Sequence, residues 1–171
     1  AYLNDGSTKV AFVCNSGAAC AVSSDAGIGS SPVISGNSSS VTPAFVLPPA
    51  NISGDSGNPY SDGVDPTFSL GNVTNNDNDS DAEYVVIEFN SLVRNTAGNN
   101  NGNTRGNTFT VLVNGSSLVT STDNANSRVT IIEPLISTIT KSITVTPADA
   151  GDTITYQLQF INTGNAPAFD I

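Results

Sequence analysis

At 171 residues the chain is long enough to bury a core of its own, as one large or two small β domains. Five Lys plus Arg against fifteen Asp plus Glu give a net charge of −10. That balance repels phosphate backbones and anionic bilayers, and no basic patch offsets it, so nucleic acid and membrane insertion are set aside as modes of action. Histidine is absent, which removes His-based triads and His general bases. No apolar run approaches the roughly 20 residues of a spanning helix. Asn, Ser, Thr and Gly dominate, helix formers are scarce and no 3.6-residue period appears, so the sequence predicts an all-β fold.

The chain opens with a turn, Asn4-Asp-Gly-Ser7, and a strand from Lys9 to Cys14 that has no preceding strand to pair with. No signal peptide is visible at Ala1, so a secretion signal is expected to have been removed or to lie upstream. Cys14 and Cys20 bracket five small residues. A disulfide closing this short loop points to an oxidising compartment; two reduced buried thiols are the other reading. Zinc lacks a second Cys pair or a His to complete four ligands.

Residues 23–43 read as loop with at most one edge strand, and Ala44 to Leu47 ends at Pro48-Pro49, a corner or an edge. An exposed loop is expected from Asn51 to Asp65. Thr67 to Leu70 leads to a nearly continuous apolar run, Tyr84 to Phe89, expected as a central strand covered on both faces. Asn95 to Asn107 is expected as a long mobile loop. Phe109 to Val113 and Ser117 to Thr120 flank Asn114-Gly115, a strong hairpin signal. A further strand, Arg128 to Ile132, precedes a domain boundary placed at Pro134.

The last third is the most regular. Ile139, Lys141, Ile143 and Val145 fall on one face of a strand with Thr and Ser on the other. After the turn Pro147 to Gly151, the residues Ile154, Tyr156, Leu158 and Phe160 alternate with polar ones. The pair reads as half of a sandwich with an apolar face that demands cover.

Thr140-Lys-Ser-Ile and Gly151-Asp-Thr-Ile-Thr-Tyr-Gln-Leu-Gln-Phe-Ile-Asn-Thr-Gly-Asn-Ala-Pro-Ala-Phe-Asp-Ile171 resemble the opening of a bacterial immunoglobulin-like surface repeat, the widespread conserved repeat of unknown function. Phe68 to Asp77, Glu83 to Val93 and Asn107 to Glu133 are similar to the closing half of the related isopeptide-forming fimbrial domain. The resemblance implies an immunoglobulin-like β-sandwich over residues 1–134 lacking its first strands. Residues 135–171 then open the next repeat, in the same chain or donated to a neighbouring subunit. It implies structural work outside the cell, at the surface, as a stalk or filament module. The partners are then neighbouring repeats or a head-to-tail homopolymer made by donor-strand pairing.

Three constellations bear on chemistry. Asp77, Asp79, Asp81 and Glu83 alternate in the oxygen-rich manner calcium favours, with Glu88 where a twelve-residue loop places its last ligand. Ala82 departs from the required Gly, and the other reading is a solvated acidic turn. Lys141, Asp152 and Asn162 share a strand parity, and in the fimbrial domains such a trio forms an intramolecular isopeptide bond. In those domains, however, the Asn lies on a late strand, and a Lys snorkelling to water is the other reading. The sequons at Asn37, Asn51, Asn72, Asn78 and Asn114 are expected to carry few or no N-linked glycans in a bacterium. A pair of carboxylates for glycoside cleavage would need Glu83, Glu88 or several Asp to converge. The chain therefore reads as a non-enzyme without a cofactor other than calcium. The competing reading is a calcium-stabilised adhesin domain whose loops at 23–65 and 95–107 contact carbohydrate or a host surface; for an exposed aromatic platform these loops offer only Phe45, Tyr60 and, at their margin, Phe68, which weighs against it.

Overall fold

A computed structural model of the chain describes residues 1–15, 22–28, 33–35, 40–122, 125–143 and 149–168. The fold is all-β. Helix among the described residues is limited to short 3-10 turns, among them Pro49–Asn51 and Ala125–Ser127. None is long and apolar enough to cross a membrane. Two compact units divide the chain, Ala1–Arg94 and Asn95–Ile171. The boundary expected at Pro134 lies inside the second unit, because the chain on both sides of that proline is tied down locally: Glu133 Oε2 accepts Asn101 N at 2.9 Å, and Leu135 N donates to Asn162 Oδ1 at 3.0 Å.

The first unit holds strands β1 (Lys9–Cys14), β2 (Val22–Ser24), β3 (Val33–Ile34), β4 (Phe45–Val46), β5 (Ile52–Ser53), β6 (Thr67–Phe68), β7 (Val73–Asn75) and β8 (Tyr84–Glu88). β1 is the central strand. β8 runs antiparallel along one edge, from Lys9 opposite Glu88 to Val13 opposite Tyr84. The other edge is shared by β4, opposite Lys9 and Val10, and by β3, parallel to Val13 and Cys14. The strand that has no earlier strand to pair with is thus flanked on both sides by later ones. The run expected to be central, Tyr84 to Phe89, is instead flanking and half exposed. Lys9-Val-Ala-Phe-Val-Cys14 is apolar on both faces beyond its first residue, so this strand must be covered on both. β8 carries Tyr84, Val85 and Glu88 exposed.

Val10, Phe12 and Cys14 alternate along β1 into a core completed by Val22, Ile28 and Leu47, with Phe45, Ile52, Phe68, Leu70 and Ile87 half-buried against it. Tyr2 extends this core. Its ring meets Tyr60 edge-on at 4.9 Å and lies 5.7 Å from Phe68 and 5.8 Å from Phe89, a cluster of favourable aromatic geometry. The buried Tyr2 hydroxyl is satisfied by the Thr8 hydroxyl at 2.6 Å. β2 pairs with β7 and β5 with β6 as short antiparallel ladders around this centre. Between β5 and β6, Gly54 has φ +144, and a β-carbon there would strike the Asp65 carbonyl and the Tyr60 ring, so the close approach requires glycine.

The second unit holds β9 (Thr104–Arg105), β10 (Thr110–Val113), β11 (Ser116–Thr120), β12 (Val129–Thr130), β13 (Ile136–Ile143) and β14 (Tyr156–Asn162). They form three separate two-stranded ladders, β9 with β12, β10 with β11 and β13 with β14. The predicted hairpin is present, with Asn114 at φ 50 and Gly115 at φ 77 in its two-residue turn. Asn95 to Asn107 is not one loop without structure: it contains β9 and a set of Asn side chains that satisfy the local backbone. Asn100 Nδ2 donates to Ala97 O and Asn103 Nδ2 to Gly98 O, both at 3.0 Å.

Candidate functional site

The strongest candidate is the face of the β13–β14 hairpin. Its register sets Ile139 opposite Phe160, Lys141 opposite Leu158 and Ile143 opposite Tyr156 on one face, with Thr140 opposite Gln159 and Ser142 opposite Gln157 on the other. The strand-donor residues Tyr156, Leu158 and Phe160 therefore share a face, as their alternation predicts. Ile154 precedes β14 and is also exposed. The five large apolar residues of that face are between 43% and 74% exposed. Neither strand has a second partner among the described residues, so both outer edges offer free backbone groups.

The base of the hairpin explains the Asn162-Thr-Gly-Asn-Ala-Pro167 motif. Asn162 Oδ1 accepts Leu135 N and Gly164 N, both at 3.0 Å, and Asn162 Nδ2 donates to Ala166 O at 2.8 Å. Thr163 N donates to Leu135 O at 2.8 Å. A β-carbon on Gly164 would overlap the backbone of Glu133, Pro134 and Leu135. The motif is a clamp that fixes where β13 begins and aims the hairpin.

This use of Asn162 separates the proposed isopeptide trio. Asn162 closes one end of the ladder, whereas Lys141 lies opposite Leu158, four residues and about 13 Å along the strand. Asp152 sits in the turn at the far end, its carboxylate accepting Asp149 N at 2.8 Å. Lys141 does face the apolar side, but its Nζ lies 4.2 Å from the Tyr156 ring centroid, a cation–π contact on an exposed strand. The structure therefore does not bring Lys141, Asp152 and Asn162 together.

A second candidate lies between β7 and β8. The carboxylates of Asp77, Asp79 and Glu83 each place an oxygen within 4.8 Å of the others. Three successive Asx turns wind the loop: Asp77 N donates to Asn75 Oδ1 at 2.8 Å, Asp79 N to Asp77 Oδ1 at 3.1 Å and Asp81 N to Asp79 Oδ1 at 3.0 Å. Asn75 Nδ2 holds Glu83 Oε2 at 2.6 Å. Glu83 Oε1 and Asp81 Oδ1 are buried atoms without a hydrogen-bond partner among the described residues. Asp81 stands outside the converging group, and Glu88 is carried off by β8 to a place opposite Lys9.

The remaining sequence-predicted residues divide plainly. Cys14 is wholly buried and disulfide-bonded; Cys20, the only other cysteine of the sequence, lies outside the described residues. Phe45 and Phe68 pack against the core and Tyr60 is buried, so these three do not form an exposed aromatic platform. Of the sequons, Asn51 and Asn72 have their amides engaged, by Ser69 O at 3.0 Å and Asp25 Oδ2 at 2.6 Å, and Asn37 lies outside the described residues. Sequence reading overlooked the exposure of the large apolar residues around the β10–β11 hairpin, although Phe109, Leu112 and Leu118 were legible as such beside a turn. Compared with known proteins, the chain matches no family model, no curated protein and no solved structure.

Proposed function

We propose that this chain is a structural module of a secreted bacterial surface protein, a stalk or filament element assembled by β-strand pairing between immunoglobulin-like units. The observation that carries the reading is the β13–β14 hairpin: a ladder with no third strand among the described residues, with an exposed apolar face interrupted only by Lys141 and two open edges. A hairpin alone is marginally stable, and an exposed apolar face of this kind is an aggregation hazard unless another strand covers it. Strands of a following repeat or a neighbouring subunit would supply that cover by β-augmentation, main-chain hydrogen bonds giving affinity and alternate side chains giving register. The disulfide at Cys14 supports an oxidising, extracellular setting. The resemblance of the C-terminal stretch to bacterial surface repeats points the same way.

Size-exclusion chromatography with light scattering, with negative-stain microscopy, tests this on the full chain. Concentration-dependent oligomers or fibres are expected, and Leu158→Glu together with Phe160→Glu abolishes them. A parent chain that stays monomeric at every concentration overturns assembly through this face.

The convergence of Asp77, Asp79 and Glu83, with one Glu83 oxygen left without a donor, favours a second reading in which calcium braces the β7–β8 loop of an adhesin domain. Calcium then raises the melting temperature of the first unit, EDTA reverses it, and Glu83→Gln removes the response. The burial of Phe45, Tyr60 and Phe68 disfavours the carbohydrate-binding half of that reading.

A further inference from the structure

The sequence contains two Asn-Gly steps, Asn101-Gly102 and Asn114-Gly115, and the fold treats them in opposite ways. An Asn-Gly step carries an intrinsic reaction. The glycine amide nitrogen, on losing its proton to solvent, attacks the asparagine Cγ, and the tetrahedral adduct expels ammonia to leave a five-membered succinimide. Water then opens the ring at either carbonyl, giving aspartate or isoaspartate, so that the net change is one water consumed and one ammonia released. Glycine favours the step because no side chain shields its nitrogen.

At Asn101-Gly102 the reacting groups are already committed. Gly102 N, the nucleophile, donates to Ile131 O at 2.9 Å. Asn101 Oδ1, on the carbon under attack, accepts Glu133 N at 3.2 Å, while Asn101 N donates to Glu133 Oε2 at 2.9 Å. Ile131 is the buried apolar residue of the second unit, and its own N–H donates to Asn103 O at 2.8 Å. Ring closure here requires breaking these bonds and loosening a buried side chain.

At Asn114-Gly115 nothing comparable holds the step. Asn114 is exposed and makes no side-chain hydrogen bond among the described residues, and the space around Gly115 is open. The two residues form the turn of a two-stranded ladder whose every residue is exposed and whose register shifts between Val111 and Leu112. Ring closure turns the Asn114–Gly115 peptide plane out of the left-handed turn, so it proceeds from molecules in which the hairpin has opened. An isolated, bulged hairpin lies at the low end of local opening free energies.

We infer that Asn114 is a site of spontaneous covalent modification in the folded protein, whereas Asn101 is protected by the clamp to Glu133 and Ile131. The product acquires a further negative charge. As isoaspartate it gains a backbone methylene within a two-residue turn that requires positive φ at both positions. The β10–β11 hairpin therefore loosens with age while the β9–β12 ladder does not.

The test follows both sites by peptide mapping with mass spectrometry after incubating the full chain at mildly alkaline pH, in buffer and in concentrated urea. Deamidation at Asn114 is expected within a few-fold of its rate in urea, with Asn101 slowed at least about tenfold by folding. Equal protection at the two sites, or Asn101 reacting first in buffer, overturns the inference. Glu133→Ala separates local clamping from general accessibility. It is expected to speed Asn101 and leave Asn114 unchanged, and an unchanged Asn101 rate sinks the clamp as the cause.

Discussion

β1 in the first unit and β14 in the second both carry apolar side chains at alternate positions, but β1 has apolar residues between them and β14 has glutamines, and they end in opposite environments. Val10, Phe12 and Cys14 are fully buried, and β1 has strands on both edges. Tyr156, Leu158 and Phe160 are at least half exposed, and among the described residues β14 pairs with β13 alone. The contrast extends to the units: among the described residues all but one of the buried apolar residues belong to the first, the exception being Ile131. Alternation within a strand specifies which face is to be buried, but cover comes from a second layer that the strand does not itself provide. The first unit contains its second layer, and the described residues of the second unit leave their apolar faces exposed.

The sharpest way to break this comparison is a matched pair of truncations. Phe12→Ala removes a fully buried ring from a close-packed core and is expected to destabilise the first unit by about 3–5 kcal/mol. Phe160→Ala, on the exposed face, is expected to change monomer stability by no more than about 0.5 kcal/mol while weakening assembly. Urea unfolding followed by circular dichroism measures both. Comparable losses from the two substitutions would mean that Phe160 is buried in solution.

Next in size is the disulfide at Cys14. Cross-linking a loop as short as that between the two cysteines of the sequence restricts the unfolded chain by an amount worth about 2 kcal/mol. Reductant should therefore lower the melting transition of the first unit and leave the β13–β14 hairpin unaffected, which backbone amide exchange resolves unit by unit. A uniform loss of protection across both units would contradict their independence.

A smaller effect tests the clamp that aims the open hairpin. Asn162→Ala deletes the acceptor for Leu135 N and Gly164 N and the donor to Ala166 O. Because these groups are exposed, water replaces much of what is lost, and the expected change is about 1 kcal/mol, confined to the hairpin base. Faster amide exchange at Leu135 and Gly164 is the readout, and unchanged exchange there would remove the clamp as the motif's role.

What was legible in the sequence follows the same division between local and non-local information. The all-β fold, the Asn114-Gly115 hairpin and the shared face of Tyr156, Leu158 and Phe160 were readable because each is set by residue spacing within a few positions. The apolar run of β1 on both faces was a readable sign of a central strand, but its partners were not readable, because β3, β4 and β8 lie between about 20 and 75 positions further along the chain. The unit boundary at Arg94 was missed because the Asn-rich stretch after it looked like loop, whereas its amides bond its own backbone and bonds of Asn101 to Glu133 and of Gly102 to Ile131 tie it to the second unit. Lys141, Asp152 and Asn162 shared a parity, and parity gives a face without giving a position along it. The acidic loop was half legible: spacing found Asp77, Asp79 and Glu83, but only the Asx turns decide that Asp81 stands apart.

The smallest effect is confined to the first unit and depends on pH. The Ser7 hydroxyl, the Asn90 amide and the Ser7 backbone N–H all donate to Asp5 and hold its carboxyl at about 2, against an ordinary 3.8. The Ser61 hydroxyl, then the backbone N–H groups of Ser61 and Gly57, hold Asp55 at about 2. The backbone and side-chain N–H groups of Asn72 lower Asp25 as well. In each case the folded state favours the carboxylate, so the unfolded chain binds protons first as the pH drops. The stabilisation is complete above 3.8 and is lost as the pH falls toward about 2. Asp5 and Asp25 are exposed and Asp55 is half-buried, which keeps the effect small. Asn90→Ala sharpens the assignment, since it removes one of the donors to Asp5 and lets its folded-state pKa rise toward the ordinary value. The variant should be less stable than the parent at neutral pH and converge with it near pH 2. Carbon-detected NMR titration of the Asp5 carboxyl reads the shift directly, and an Asp5 midpoint unmoved by the substitution would assign its depression to Ser7 alone.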